Sequence, residues 1–145
     1  MKLTLESARK IVRAAFDEGA SRGSKPLSIA VLDAGGHVIA FERADGASPM
    51  RFAIAHGKAY GAVMIGSGSR ALFERAKEQP YFMQAMNGLA QGALVPVPGG
   101  VLIRSGGEVI GAVGITGDTS DVDEACAVAA ITAAGFEADT GGPAK

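Results

Sequence analysis

The sequence predicts an α+β fold: an antiparallel sheet of about five strands with helices packed against it. Three observations carry this expectation. Residues 27–33 and 37–43 are β-rich runs joined through Gly35-Gly36, a hairpin signal because glycine takes the positive φ such turns need. Residues 101–104 and 108–116 repeat the arrangement around Ser105-Gly106-Gly107. Helical periodicity flanks both hairpins, so the strands pair locally and the alternating strand–helix rhythm of a doubly wound fold is missing. A chain of 145 residues fits one domain, expected over 1–145.

The elements follow in order. Leu5, Ala8, Ile11, Val12, Ala15 and Phe16 recur at three- and four-residue spacing, predicting a helix from Leu5 to about Gly19 with Thr4 as N-cap. Lys25-Pro26 turns the chain into the first hairpin. Ser48 and Pro49 suit the cap and first position of a second helix, where the pattern Phe52, Ala55/His56, Ala59/Tyr60, Val63/Met64 is helical until Gly66-Ser67-Gly68-Ser69 breaks it. A short helix over Arg70 to Lys77 and a helical turn or two within Tyr81 to Leu89 come next. Gly92 to Pro98 reads as an edge strand or extended connection, because its prolines remove ladder donors. After the second hairpin, Ser120 with Asp123 opens a last helix in an acidic variant of the capping box. Val122, Ala125, Cys126, Ala129, Ala133 and Phe136 are its expected buried face. The tail over 138–145 is expected to be flexible.

Composition narrows the function classes. The chain is 48% hydrophobic and 20% charged with net charge −1, which argues against a nucleic-acid surface held by bulk charge. A single cysteine, Cys126, excludes an intrachain disulfide framework and a cysteine zinc cluster. No apolar run approaches the ~18 residues of a membrane span, and Glu6 interrupts the start before a signal-peptide core can form. A soluble, cytoplasmic protein without a membrane or nucleic-acid partner is expected. Glycine reaches 21 residues while aromatics are only 6%, so the core must be packed from small aliphatics. Alanine-lined helices approach one another closely, and a homo-oligomer with an even subunit count is expected.

Chemistry concentrates in two places. His37 follows the hairpin turn, with Asp33 across it able to set the imidazole tautomer, and Arg43 lies at the far end of the same strand. These three are the candidate acid/base and carboxylate-holding groups. The second helix carries Met50, Arg51, His56, Lys58 and Tyr60, candidates for contacting a small anionic ligand or cofactor. Arg51 and Lys58 are one heptad apart. The two histidines lack the i, i+4 spacing of a helical metal pair, so no metal site is expected. The middle of the chain is basic, with Arg70, Arg75 and Lys77, whereas Asp118 to Asp139 contains six acids and no base. Such segregation suits either an anion site or complementary surfaces between subunits.

Several strings together resemble a known family. They are Val31 to Gly46 (VLDAGGHVIAFERADG), His56 to Tyr60 (HGKAY), Pro98 to Ile103 (PGGVLI), and Val109 to Thr116 with Gly117, followed by Asp123-Glu124. The chain is similar to the GlcG/HbpS-like, haem-degrading proteins and to the C-terminal domain of PduO-type corrinoid adenosyltransferases, over nearly its whole length. The resemblance implies a profilin-like α+β sandwich, assembly into dimers, tetramers or octamers, and haem or another tetrapyrrole as ligand in some members. In some of them a histidine on the N-terminal helix ligates haem; here that helix has none, so a ligand would come from His37, His56, Met50 or Tyr60. Three functions follow as expectations: a small-molecule binding protein for haem or a related anionic ligand, a catabolic enzyme acting on a small organic acid, or an accessory module without catalysis.

Overall fold

The computed structural model describes residues 2–143. Five helices and a five-stranded sheet appear in the order α1 (Leu5–Ser21), β1 (Ser28–Asp33), β2 (Val38–Arg43), α2 (Arg51–Ile65), α3 (Ser69–Glu78), α4 (Pro80–Leu89), β3 (Gly100–Ser105), β4 (Glu108–Thr116), α5 (Ser120–Ala133) and β5 (Glu137–Asp139). The strands lie side by side as β2-β1-β4-β3-β5, every neighbour antiparallel. The expected α+β architecture is present. No helix among the described residues is long and apolar enough to cross a membrane.

Alternation along the strands assigns the two faces of the sheet. Leu27, Ile29, Val31, Val101, Ile103, Val113 and Ile115 meet α1 and α5 in the main core. Leu32, Leu102 and Ala112 point the other way, against Ala59 and Ala62 of α2. A smaller cluster of Leu72, Met83 and Leu94 ties α3, α4 and the following loop to α2. The sheet is thus covered on both sides. Helix α2 comes very close to β4: a Cβ placed on Gly114 would collide with the Ala55 carbonyl.

Several local expectations are corrected. Helix α2 begins at Arg51 with Met50 as an N-cap that offers no side-chain bond, because the Ser48 hydroxyl is engaged by the Arg51 side chain instead. In α5 the cap is Thr119, whose Oγ1 accepts the Val122 N–H at 3.2 Å; Asp123 is turned inward. The face α5 buries is Asp123, Cys126, Ala127, Ala130 and Ile131, not the one through Ala125 and Ala133. In a helix this rich in alanine, hydrophobicity alone marks no face. Of the two readings of residues 92–98, the connection holds and the edge strand does not, although the Val95 N–H reaches the Gly57 carbonyl at 3.2 Å. The fifth strand is β5, paired on β3 as Leu102↔Asp139, Ile103↔Ala138 and Arg104↔Glu137. The segment expected to be a flexible tail therefore begins as an edge strand, with Asp139 held by Arg104 at 2.8 Å; residues 144 and 145 lie outside the described ones.

Candidate functional site

One side of α2 stays uncovered because the sheet ends beside it. β2 is an outer strand, and the residues of α2 that face away from β4 recur every fourth position: Phe52, His56, Tyr60 and Met64. On β2, Phe41 pairs with Ala30, whose small side chain leaves room for the ring to lean under α2. The rings make a continuous row. Phe41 stands edge-on to Phe52 with centroids 4.7 Å apart, Phe52 is 5.8 Å from His56, and His56 stacks on Tyr60 at 5.3 Å and 19°. Met50 lies at one end of the row, 68% exposed; Met64 lies at the other, close to Gly36 in the hairpin turn. The row is an apolar, partly wet strip of the kind that holds a flat ligand. Partial burial lowers the His56 pKa below its usual 6.5, which favours the neutral, metal-ligating imidazole at pH 7.

The hairpin turn closes one end of this strip. Asp33 Oδ1 accepts the N–H groups of Gly35 and His37, both at 2.9 Å, and lies 3.3 Å from His37 Nδ1. Those two backbone bonds, the His37 one foremost, hold the Asp33 carboxyl below its usual range despite some desolvation. His37 itself is exposed. Arg43 is six residues further along β2, about 20 Å away at the usual rise of a strand, so Asp33 and His37 are together and Arg43 is not with them. Arg43 lies on the α2 side beyond Phe41, at the Met50 end.

Lys58 faces the opposite way from the strip. It is buried, its Nζ donating to the Ile115 carbonyl at 2.9 Å and to Asp123 Oδ2 at 3.1 Å. Asp123 Oδ1 accepts the Asp118 N–H at 3.0 Å. Desolvation dominates both groups, lowering the Lys58 pKa and raising that of Asp123, with the mutual attraction opposing it. Gly99 and Gly100 make the room: a Cβ on Gly99 would meet the Lys58 side chain and one on Gly100 the Lys58 carbonyl. Lys58 thus joins α2, β4 and α5 internally and is not beside Met50, His56 and Tyr60. Asp123, read from the sequence as a capping group, is the partner that reading missed. Arg51 donates from Nε to Ser48 Oγ at 3.0 Å and from Nη1 to Thr116 Oγ1 at 2.7 Å.

A wide groove lies elsewhere, about 1280 Å³ between α5 and β5. Its arginines are satisfied internally, Arg70 by Asp121 and Glu124 and Arg104 by Asp139. Of the basic middle, Arg70 thus meets the acidic end within one subunit, while Lys77 pairs with Glu74 and Arg75 bonds Gln79. No cluster of three or more His, Cys, Asp or Glu suited to a metal ion occurs among the described residues.

The family profile described as haem degrading protein HbpS-like matches residues 3–132. The chain belongs to the HbpS-like family. Its relatives include a Citrobacter freundii protein described as an uncharacterized 15.0 kDa protein in the dhaT-dhaS intergenic region, 30% identical over 131 residues and covering 89% of each chain. Among solved structures, the PduOC:heme complex superposes on this HbpS-like chain with a TM-score of 0.84 at 25% identity, over 94% of this chain and 97% of that one. A double mutant of Streptomyces reticuli HbpS gives 0.77 at 29% identity, over 92% and 87%. The strings that carried the resemblance have two physical jobs here. Those from β1–β2 and α2 border the aromatic strip, and from the others Gly99, Gly100, Ile115 and Asp123 converge on Lys58.

Proposed function

We propose that this HbpS-like protein binds a planar tetrapyrrole, haem or a close relative, on the strip between α2 and β2, with His56 as the ligating side chain. The observation that carries the reading is the unbroken row Phe41, Phe52, His56, Tyr60, which offers flat apolar contact around one neutral imidazole. The donor set fits the group: histidine and methionine are ordinary axial ligands, and Met50, Met64 and the Tyr60 phenol border the same strip. A relative solved as a heme complex supports the ligand class. Bound haem would supply redox chemistry at its iron; the chain's own residues would pack their apolar ring edges against it, offer the imidazole and exclude water from one side.

Haemin titration followed at the Soret band tests this. His56→Ala is expected to shift the band and weaken binding at least tenfold, while His37→Ala leaves both unchanged. Because the His56 pKa lies below 6.5 in the folded chain, affinity should hold from neutral pH down to that region and then fall as the proton competes with iron. An unchanged spectrum and affinity in His56→Ala would overturn the assignment.

A second reading, proton transfer on a small organic acid, is favoured by the Asp33–His37 pair. Asp33 orients Nδ1 and leaves Nε2 free toward solvent, as a general base requires. Turnover of any 2-hydroxy or 2-oxo acid that disappears in His37→Ala and survives in His56→Ala would select it.

A further inference from the structure

We infer that the N-terminal end of α2 is an oxyanion site, built to take one carboxylate or phosphate group. The inference rests on charges, hydroxyls and backbone N–H groups and on none of the ring contacts of the tetrapyrrole reading; the two share only residue Phe52, whose N–H serves here and whose ring serves there.

The first observation is an arginine without a counter-ion. Arg51 is half-buried, and both of its side-chain bonds go to neutral hydroxyls, Ser48 Oγ and Thr116 Oγ1. Neither Arg51 nor Arg43 makes an ion pair among the described residues. Of the nearby carboxylates, Asp123 is committed to Lys58 and Asp118 to the N–H groups of Lys25 and Thr119, while Asp45, in the loop before α2, is exposed and makes no ion pair among the described residues. Glu42 pairs with Ile29 and so faces the α1 side of the sheet.

The second observation is a buried hydroxyl with nothing to bond. Ser28 is fully buried and its Oγ has no partner among the described residues. Buried polar side-chain atoms almost always have one. Ser28 stands opposite Thr116 on β4 and opposite Arg43 on β2, so Arg43, Ser28 and Thr116 form one row across three strands. The row lies on the α2 side, since Leu27 and Ile29 on either side of Ser28 both enter the α1–α5 core.

The third observation is the bare start of the helix above that row. Met50 offers no capping bond, and the first turn carries no acid. The Arg51 N–H is satisfied by Ser48 O at 3.2 Å and the Ile54 N–H by Met50 O at 3.1 Å, whereas those of Phe52 and Ala53 have no backbone acceptor. Fixed positive charge, hydroxyl donors and free helix N–H groups are the three components of an oxyanion binder. Here they occupy one end of one helix.

Amide NMR titrations of the intact protein with sodium acetate, and separately with inorganic phosphate, test the site, with sodium chloride at matched ionic strength as the control for screening. Saturable shifts centred on Phe52 and Ala53 are expected with at least one of the two anions. Arg51→Gln should weaken binding about tenfold, the loss of one charge-assisted contact, and Ser28→Ala less. Arg43→Gln, on an exposed side chain, gives an independent reading if Arg51→Gln does not fold. Absence of saturable shifts at both amides with both anions, or affinity unchanged in both arginine variants, would overturn the inference. Haemin and its dimethyl ester then separate the sources. Displacement of acetate by haemin and not by the ester identifies a tetrapyrrole carboxylate, and displacement by neither identifies a free small acid.

Discussion

A lysine ammonium at 2% exposure must recover its lost hydration from whatever touches it. Lys58 recovers it from one carbonyl and one carboxylate, and the carboxylate in turn depends on the lysine. Removing one partner strands the other charge, so Lys58→Met should cost about 3–5 kcal/mol. Lys58→Met with Asp123→Asn should recover most of that, because an amide oxygen can still accept the Asp118 N–H. Urea unfolding of the three proteins checks both statements. Asp33 gives a pH-dependent case. Its folded pKa is depressed below 3.8, so it contributes stability fully present above 3.8 and lost as pH falls from there through the lower folded value. The difference in unfolding midpoint between wild type and Asp33→Asn should therefore shrink on acidification below about pH 4. The sequence pointed correctly to the closeness of Asp33 and His37, because a tight turn fixes that distance. It misdirected on Lys58, because heptad spacing from Arg51 says nothing about which side of α2 is covered.

The elements differ in how strongly their residues announce them. Both hairpins and α1 were legible because period-two and period-3.6 patterns are sharp there and glycines punctuate the ends. β5 was not: a three-residue strand has too few positions for a pattern and exists only because β3 presents an open edge. α4 was underestimated because Pro80-Tyr81-Phe82 gives no obvious cap, and Pro80 itself starts the helix. Two glycines separate close packing from idle flexibility at this scale. Gly114→Ala should push α2 off β4 and destabilise by about 1–3 kcal/mol, and it should also disturb the aromatic row, visible as altered haemin affinity. Gly88 sits in α4 with nothing within 4 Å of the place a methyl group would occupy. Gly88→Ala should instead stabilise by about 0.5 kcal/mol through helix propensity. Thermal melts of the pair, measured side by side, give opposite signs if the packing described is correct.

At the scale of the molecule, each layer protects the next except along the outer side of β2 and the surface of α4. Tyr81 and Leu89 of α4 are 68% and 79% exposed, and that helix carries no charged residue. Uncharged helices of this kind are normally covered, so we expect an even-numbered homo-oligomer. Sedimentation at micromolar concentration should give an even multiple of 14.6 kDa, and Leu89→Lys should lower the mass while leaving the far-ultraviolet spectrum intact. A single 14.6 kDa species for the wild type would refute the expectation.

The two outer strands are unequal, and that inequality limits how copies can join. β5 is three residues long and bears Glu137 and Asp139, a short, charged rim that resists pairing. β2 runs six residues with its outer backbone groups uncommitted by any neighbouring strand of the chain. The sheet therefore has a valence of one. Two copies that meet along β2 use up the longer rim of each, and what remains outward among the described residues is the β5 side of both. Edge pairing is therefore expected to favour a closed pair over continued growth.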